Sequence, residues 1–331
     1  MTTWRNLDTA TDDRMLVDTP GVSEAEEISL EPLTPGAKEP PARSQWRLFL
    51  RRFLRHRLAI VSLVILIVLY IVVSFPHVFA PYPLNPKQLS LQHGPTAKHW
   101  LGTDELGRDM TTRIIYATHI SMTIGLMVAV FSTLIGTFIG ALAGYFGGAI
   151  DQVLMRITDL FLIVPALAVV AMAQQGLENK SLPIVGHVGS ATLIIGVLSI
   201  LFWQSIARVV RGLFLSLKEK EFIEAARASG ASSRRIMFKH ILPNTIGPIV
   251  VNTTLVVAAA RLLESALSYL GFGVKPPAVS LGYMLSDAEN FVGTKYAYLL
   301  YFPGLMLLLI VLCVNFLGDG LRDAFDPQSK H

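Results

Sequence analysis

Three ionisable side chains stand in otherwise apolar stretches: Asp159, Arg261 and Glu264. An ionisable group at mid-bilayer costs at least about 2.5 kcal/mol on insertion scales, so it faces a partner or a cavity. Arg261 and Glu264 are three apart and share a helix face, which allows an internal pair or a charged patch along a solute path. Asp159 follows Arg156 at the same spacing, which predicts a structural pair. A second group, Asp104, Glu105, Arg108 and Asp109, precedes an apolar run, with Gly102 and Gly107 permitting tight turns. These charges could dock an external protein or pair internally. Bracing fits Arg108 and Asp109 better, because paired charges at a membrane edge commonly serve structure.

Bond-making chemistry finds no support. There is no GxxxxGK[ST] phosphate loop, no HExxH and no GxSxG elbow, and the eight histidines are scattered. The expectation is a non-enzymatic chain that binds no metal and no ATP of its own.

The elements that must position these charges are membrane spans. Of 331 residues, 52% are hydrophobic and 16% charged, and mean hydropathy is +0.51. Soluble domains carry about 25% charged residues. The formal charge of +4 signals no nucleic-acid surface. The single cysteine, Cys313, lies in an apolar run and excludes an internal disulfide or thiolate cluster. Residues 1–42 differ: nine acids against three bases give a local charge of −6, and five prolines accompany them. This segment reads as a disordered acidic tail, without the basic start and apolar middle of a signal peptide. Residues 43–331 form the membrane domain.

A span needs about 20 mostly apolar residues. Six candidates follow, at about 58–75, 120–145, 154–173, 191–207, 246–267 and 298–317. Arg43, Arg47, Arg51, Arg52, Arg55 and Arg57 crowd the entrance to the first, which places the N-terminus in the cytoplasm. Six crossings return the C-terminus to the same side. The loop between spans four and five is then cytoplasmic, and it holds eight bases against three acids. Gly136, Gly140 and Gly144 form a flat stripe on the second span. Such a stripe lets another helix approach closely, within this chain or in a second subunit. Pro165 removes one backbone hydrogen bond and is expected to bend the third span.

The loop from Arg208 to Asn244 is too polar for the bilayer, yet patterned. Residues 219–229 predict a short helix with Phe222, Ile223 and Ala226 at helical spacing. Gly230 suits the left-handed position that ends a helix. Ser232 or Ser233 can cap a second helix through Leu242, with Pro243 breaking it at the membrane face. An exposed Phe-Ile-Met face on this knob would fit a partner's groove or lie in the headgroups.

Glu224-Ala225-Ala226, Gly230 and Leu242-Pro243 resemble the EAA loop of the membrane subunits of bacterial binding-protein-dependent ABC importers. The spacing matches, and His240 occupies the family's Ile position. Two further segments resemble the dipeptide/oligopeptide/nickel permease group: Leu101-Gly102-Thr103-Asp104-Glu105-Leu106-Gly107-Arg108-Asp109, and Gly318 to Pro327. So does Leu267 to Gly273. Together these segments resemble the C-type permease of such transporters from about Arg43 to Pro327.

The resemblance implies an all-α integral membrane protein of six transmembrane helices with a cytoplasmic EAA loop, in the manner of type I importers. It implies a location in the bacterial cell membrane. It further implies a second permease subunit, two ATPase subunits that carry ATP and Mg, and an extracytoplasmic substrate-binding protein. The EAA loop would insert into a cleft on an ATPase. The peptide and nickel branches look alike at these motifs, and the lack of a Met- or His-rich stripe favours peptides. A stand-alone secondary transporter would predict internal repeats, none of which is clear, and would leave the patterned loop unexplained.

Overall fold

A computed structural model describes residues 45–84, 93–177, 181–182, 186–187 and 189–325. The expected acidic tail lies outside the described residues, as does the end of the C-terminal motif from Asp326. Among the described residues the regular elements are helices, apart from two paired two-residue strands, β1 (Ser181–Leu182) and β2 (Gly186–His187).

The first helices are α1 (Gln45–Phe53), α2 (Arg57–Ser74) and the single turn α3 (Pro76–Phe79). They are followed by α4 (Met110–Phe146), α5 (Gly148–Ile163), α6 (Ala166–Leu177) and α7 (Ser190–Leu217). The knob contains α8 (Glu221–Ala228) and α9 (Ser233–Arg235). A π-helical turn, Ile236–Ile241, then runs into α10 (Leu242–Tyr269). Two helices complete the chain, α11 (Leu281–Asp287) and α12 (Tyr298–Phe325).

Five of these rods are long and apolar enough to cross a membrane: α2, α4, α7, Ser233–Tyr269 and α12. The expected third span is not one helix. It is divided between α5 and α6, bent by 82°, and makes a sixth crossing if the pair counts as one. The break follows from Pro165. Val164 before it is extended (φ −71°, ψ 121°), as the residue before a proline prefers.

The expected helix break at Pro243 is also corrected. Pro243 sits in the first turn of α10, and the rod is continuous from Ser233 to Tyr269. A proline ring clashes with the carbonyl four residues earlier and supplies no N–H. Here the backbone widens to a π turn just upstream, and the Leu242 N–H bonds the Met237 carbonyl, five residues back. The Asn244 side chain donates to the His240 carbonyl at 2.7 Å.

α4 and α7 pack closest, along the glycine stripe. A Cβ at Gly136, Gly140 or Gly144 would fall on Trp203 O, Ala207 O or Phe214 Cβ respectively. The stripe therefore serves packing within this chain. Two of the apolar clusters bear on the motifs. One joins Met110, Ile114 and Ala117 of α4 to Leu281, Met284, Leu299 and Ile310. The other joins Ile206, Val210 and Phe214 of α7 to Ile223, Ile236, Met237 and Ile241 of the knob.

Candidate functional site

The knob is built on the second of these clusters, against α7. Ile223, Ile236 and Ile241 are fully buried and Met237 nearly so. The expected exposed Phe-Ile-Met face is therefore reduced to its two phenylalanines. Phe222 is 46% exposed and Phe238 60%. Burial of the aliphatic side chains against α7 fixes the knob to the bundle, and the two rings remain for a partner. Glu224, Ala225 and Arg227 lie on the exposed side of α8, and Ala226 is half-buried. The turn after α8 is a Schellman motif: Gly230 N–H donates to Arg227 O and Ala231 N–H to Ala226 O, both at 3.0 Å. Gly230 has φ +77°, a backbone that a side chain strains. His240 is half-buried, Leu242 is half-buried and Pro243 exposed.

The Gly102–Asp109 motif is a braced loop. Asp104 is 5% exposed. Its carboxylate accepts from the backbone N–H of Leu106 (3.0 Å) and Arg108 (2.8 Å), from Arg108 Nε (2.7 Å) and from Arg113 Nη1. Arg108 thus pairs with Asp104. Asp109 caps α4 instead, accepting from Thr112 N–H at 2.8 Å, and lies 2.9 Å from His99 Nδ1. Thr103 forms a bridge with Asp109, and the Tyr298 hydroxyl lies 2.7 Å from Thr103 O. Gly102 (φ +83°) gives way to the Tyr298 ring, which a Cβ there would strike. Gly107 turns at φ +70°.

Arg113 also reaches Asp287 of α11, 3.4 Å away. Burial and the Asp287 carboxylate push the Tyr283 hydroxyl above its usual range, so it stays a neutral donor to that carboxylate. Arg113, His99 and Tyr298 carry this architecture and were not singled out by the sequence. The position of Arg113, four residues beyond the N-cap Asp109 of α4 and within reach of Asp104, was the available signal. Replacing Asp104 with Asn should leave buried Arg113 with only the half-exposed Asp287, 3.4 Å away, at a cost of up to about 3–5 kcal/mol. A large fall in the thermal midpoint of the detergent-purified protein is the expected result. An unchanged midpoint would show that the brace is redundant.

The intramembrane charges depart from expectation. Glu264 is fully buried and accepts from Ser121 (3.1 Å), Ser265 (3.4 Å) and Ser268 (2.8 Å). Arg261 is 1% exposed, with its stem against Gly125 of α4. Its nitrogens make no hydrogen bond among the described residues. The expected Arg261–Glu264 pair makes no hydrogen bond, and three serine hydroxyls hold the carboxylate. Asp159 pairs with Arg208 of α7 at 2.6 Å, not with Arg156 on its own helix. Arg211 likewise holds Asp151. Both pairs tie the broken span to α7.

Ser121 also accepts from the Leu281 N–H at 3.3 Å. One end of α11 is thereby held deep beside α4 and α10, and the other at Arg113. The Leu267 to Gly273 turn that precedes it is held by Gln174 of α6, whose Nε2 donates to Phe272 O (2.8 Å) and Gly273 O (2.9 Å).

These features coincide with a defined family. Residues 136–331 match the model of the binding-protein-dependent transport system inner membrane component, and residues 44–95 that of the N-terminal TM domain of oligopeptide transport permease C. The chain belongs to this family of inner-membrane transport components, and it is a multi-pass membrane protein.

Among its relatives is the oligopeptide transport system permease protein OppC of Mycobacterium bovis, 40% identical over 87% of this chain and 96% of that protein. Another is the dipeptide transport system permease protein DppC of Alkalihalophilus pseudofirmus, 38% identical over 90% of this chain and 97% of that protein. The fold is similar to a chain of the inward-facing MetNI methionine ABC transporter, with a TM-score of 0.53 and 21% identity, covering 65% of this chain and 97% of that one. The fold is thus that of a type I importer permease.

Proposed function

We propose that this chain is one permease subunit of an ATP-driven importer and forms half of the translocation pathway for oligopeptides or dipeptides. The names of its relatives support the solute class. One observation carries the mechanism: the knob, with Phe222 and Phe238 outward, continues without interruption into a single 37-residue rod, Ser233–Tyr269. A push on the knob is a push on α10, whose outer end holds Glu264, Ser121 and α11.

In this reading the N- and C-termini and the knob are cytoplasmic, and the braced loop faces outward. Glu224, Ala225, Ala226, Gly230, His240, Leu242 and Pro243 form the surface that meets an ATPase subunit. ATP and Mg belong to the two ATPases. Their closure carries the knob and opens the pathway outward, where an external binding protein delivers the solute. Hydrolysis then returns the pathway inward. A second, homologous permease supplies the other half.

The test of the solute class is competition. With the chain and its partner subunits reconstituted in vesicles, unlabelled di- and oligopeptides should suppress ATP-dependent uptake of a labelled peptide, and nickel should not. Suppression by nickel alone would place the chain in the metal branch. Glu264→Gln should lower stability and leave the order of competing peptides unchanged, because its carboxylate is satisfied by serines rather than open to solute. A changed order would move Glu264 into the pathway.

A further inference from the structure

Helix α1 is not required to cross the membrane, yet it is firmly built. Phe49 packs on Phe325 at the end of α12, ring centroids 4.2 Å apart, and Phe53 is buried beside Ala324. At the junction with α2, His56 Nδ1 accepts from Ala59 N–H at 3.1 Å, and its Nε2 lies 3.6 Å from Asp323. Ala59 sits against Gly320, where a Cβ would collide with it. Four contacts, two from α1 and two from its junction with α2, therefore hold this segment against the cytoplasmic end of α12. The same Phe325 ring touches Gly247 of α10, five residues after Leu242 of the coupling segment.

The rest of α1 is unpartnered in a definite order. Leu50 and Leu54, one turn apart, are 54% and 57% exposed, and the apolar exposure continues onto α2 at Leu58 and Val61. Farther round the helix, Arg51 and Arg55 are exposed, and Arg57 follows at the start of α2. None of these three arginines has an ion pair among the described residues. A helix with leucines level with a membrane-spanning neighbour and arginines beside them suits the headgroup layer. There the stems lie along apolar surface and the guanidinium groups reach outward. Guanidinium groups match the phosphate oxygens of anionic lipid in charge and geometry.

We propose that α1 and the start of α2 form a binding surface for anionic phospholipid headgroups, and that bound lipid fixes the cytoplasmic ends of α12 and α10 beside the coupling knob. Only the choice of leaflet rests on the orientation given above. Each arginine near such a surface contributes roughly fivefold to lipid partition.

The test uses the full chain, purified in detergent and titrated with phosphatidylglycerol or phosphatidylcholine, with bound lipid counted by native mass spectrometry. The wild type should retain phosphatidylglycerol preferentially. Arg51→Gln/Arg55→Gln/Arg57→Gln should lose that preference by about tenfold or more. The triple lysine variant should keep most of it, which separates lost charge from a lost fold. Arg227→Gln/Arg234→Gln on the knob should leave it unchanged. Equal retention in the triple glutamine variant would overturn the proposal. So would a preference that appears only after residues 1–42 are removed, since the acidic segment would then be the occupant of the arginines. Orientation is read separately, by impermeant thiol labelling of Glu105→Cys and Ser229→Cys in intact cells. A reversed topology would therefore not be mistaken for a failure of lipid binding.

Discussion

ATP-driven uptake should fall by about thirtyfold or more in Glu224→Lys, and in Gly230→Pro, while the amount of protein in the membrane stays at the wild-type level. Losing an interface hot spot costs about 2 kcal/mol or more, which is a factor of about thirty. Glu224 is exposed on α8 and contributes nothing to the buried core, so its reversal acts on the partner surface. Lysine in the first turn also opposes the helix dipole that the native acid favours, a loss of about 0.3–1 kcal/mol. Gly230→Pro acts differently. Proline holds φ near −65°, whereas the turn requires +77°, and it removes the N–H that bonds Arg227 O. The knob would lose its corner but keep Ile223, Ile236 and Ile241 as apolar ballast against α7. Insertion is therefore expected to survive. Uptake at wild-type rates in both variants would remove the knob from energy coupling.

Gly140→Val should be more damaging to the protein itself. A Cβ at this position would meet the carbonyl oxygen of Ala207 and the Val210 side chain at 2.9 Å. Both belong to α7, so the two helices must separate. Overpacking a tight contact costs about 1–3 kcal/mol when side chains can give way. Here the obstacle includes backbone, and the upper end of that range or beyond is expected. Loss of a monodisperse peak in gel filtration after detergent extraction is the result that checks it. Gly196→Val, on α7 where nothing lies within 4 Å of a Cβ, is the matched control and should behave as wild type. Equal behaviour of the two variants would mean that α4 and α7 do not pack along this stripe.

Much of this architecture is legible in the sequence because lipid imposes simple demands. Apolar runs mark the rods, and the predicted 298–317 and 58–75 fall within a residue or so of where α12 and α2 begin. The far ends of α7 and α12 escape notice, since these helices extend past the apolar run into polar residues that continue the hydrogen-bond ladder. Gly230 and Gly102 signal their turns by type alone.

What is hidden depends on contacts between distant segments. Asp159 has Arg156 as a neighbour in sequence and Arg208 as a neighbour in space. Spacing on one helix cannot reveal the second. Glu264 offers the same lesson, because Ser121 is an ordinary residue until α4 brings it to a carboxylate on α10. Pro243 misleads for a local reason. Proline normally ends a helix, and only the wider π turn before it lets the rod continue into the coupling knob.

The most direct measurement of the proposed role is to tag the C-terminus, solubilise native membranes gently and identify by mass spectrometry what is recovered with the chain. Two ATPase subunits and a second permease should accompany the wild type. Glu224→Lys should retain the permease and lose the ATPases. Recovery of the chain alone, with solute uptake persisting when that chain is reconstituted by itself, would contradict the role of importer subunit.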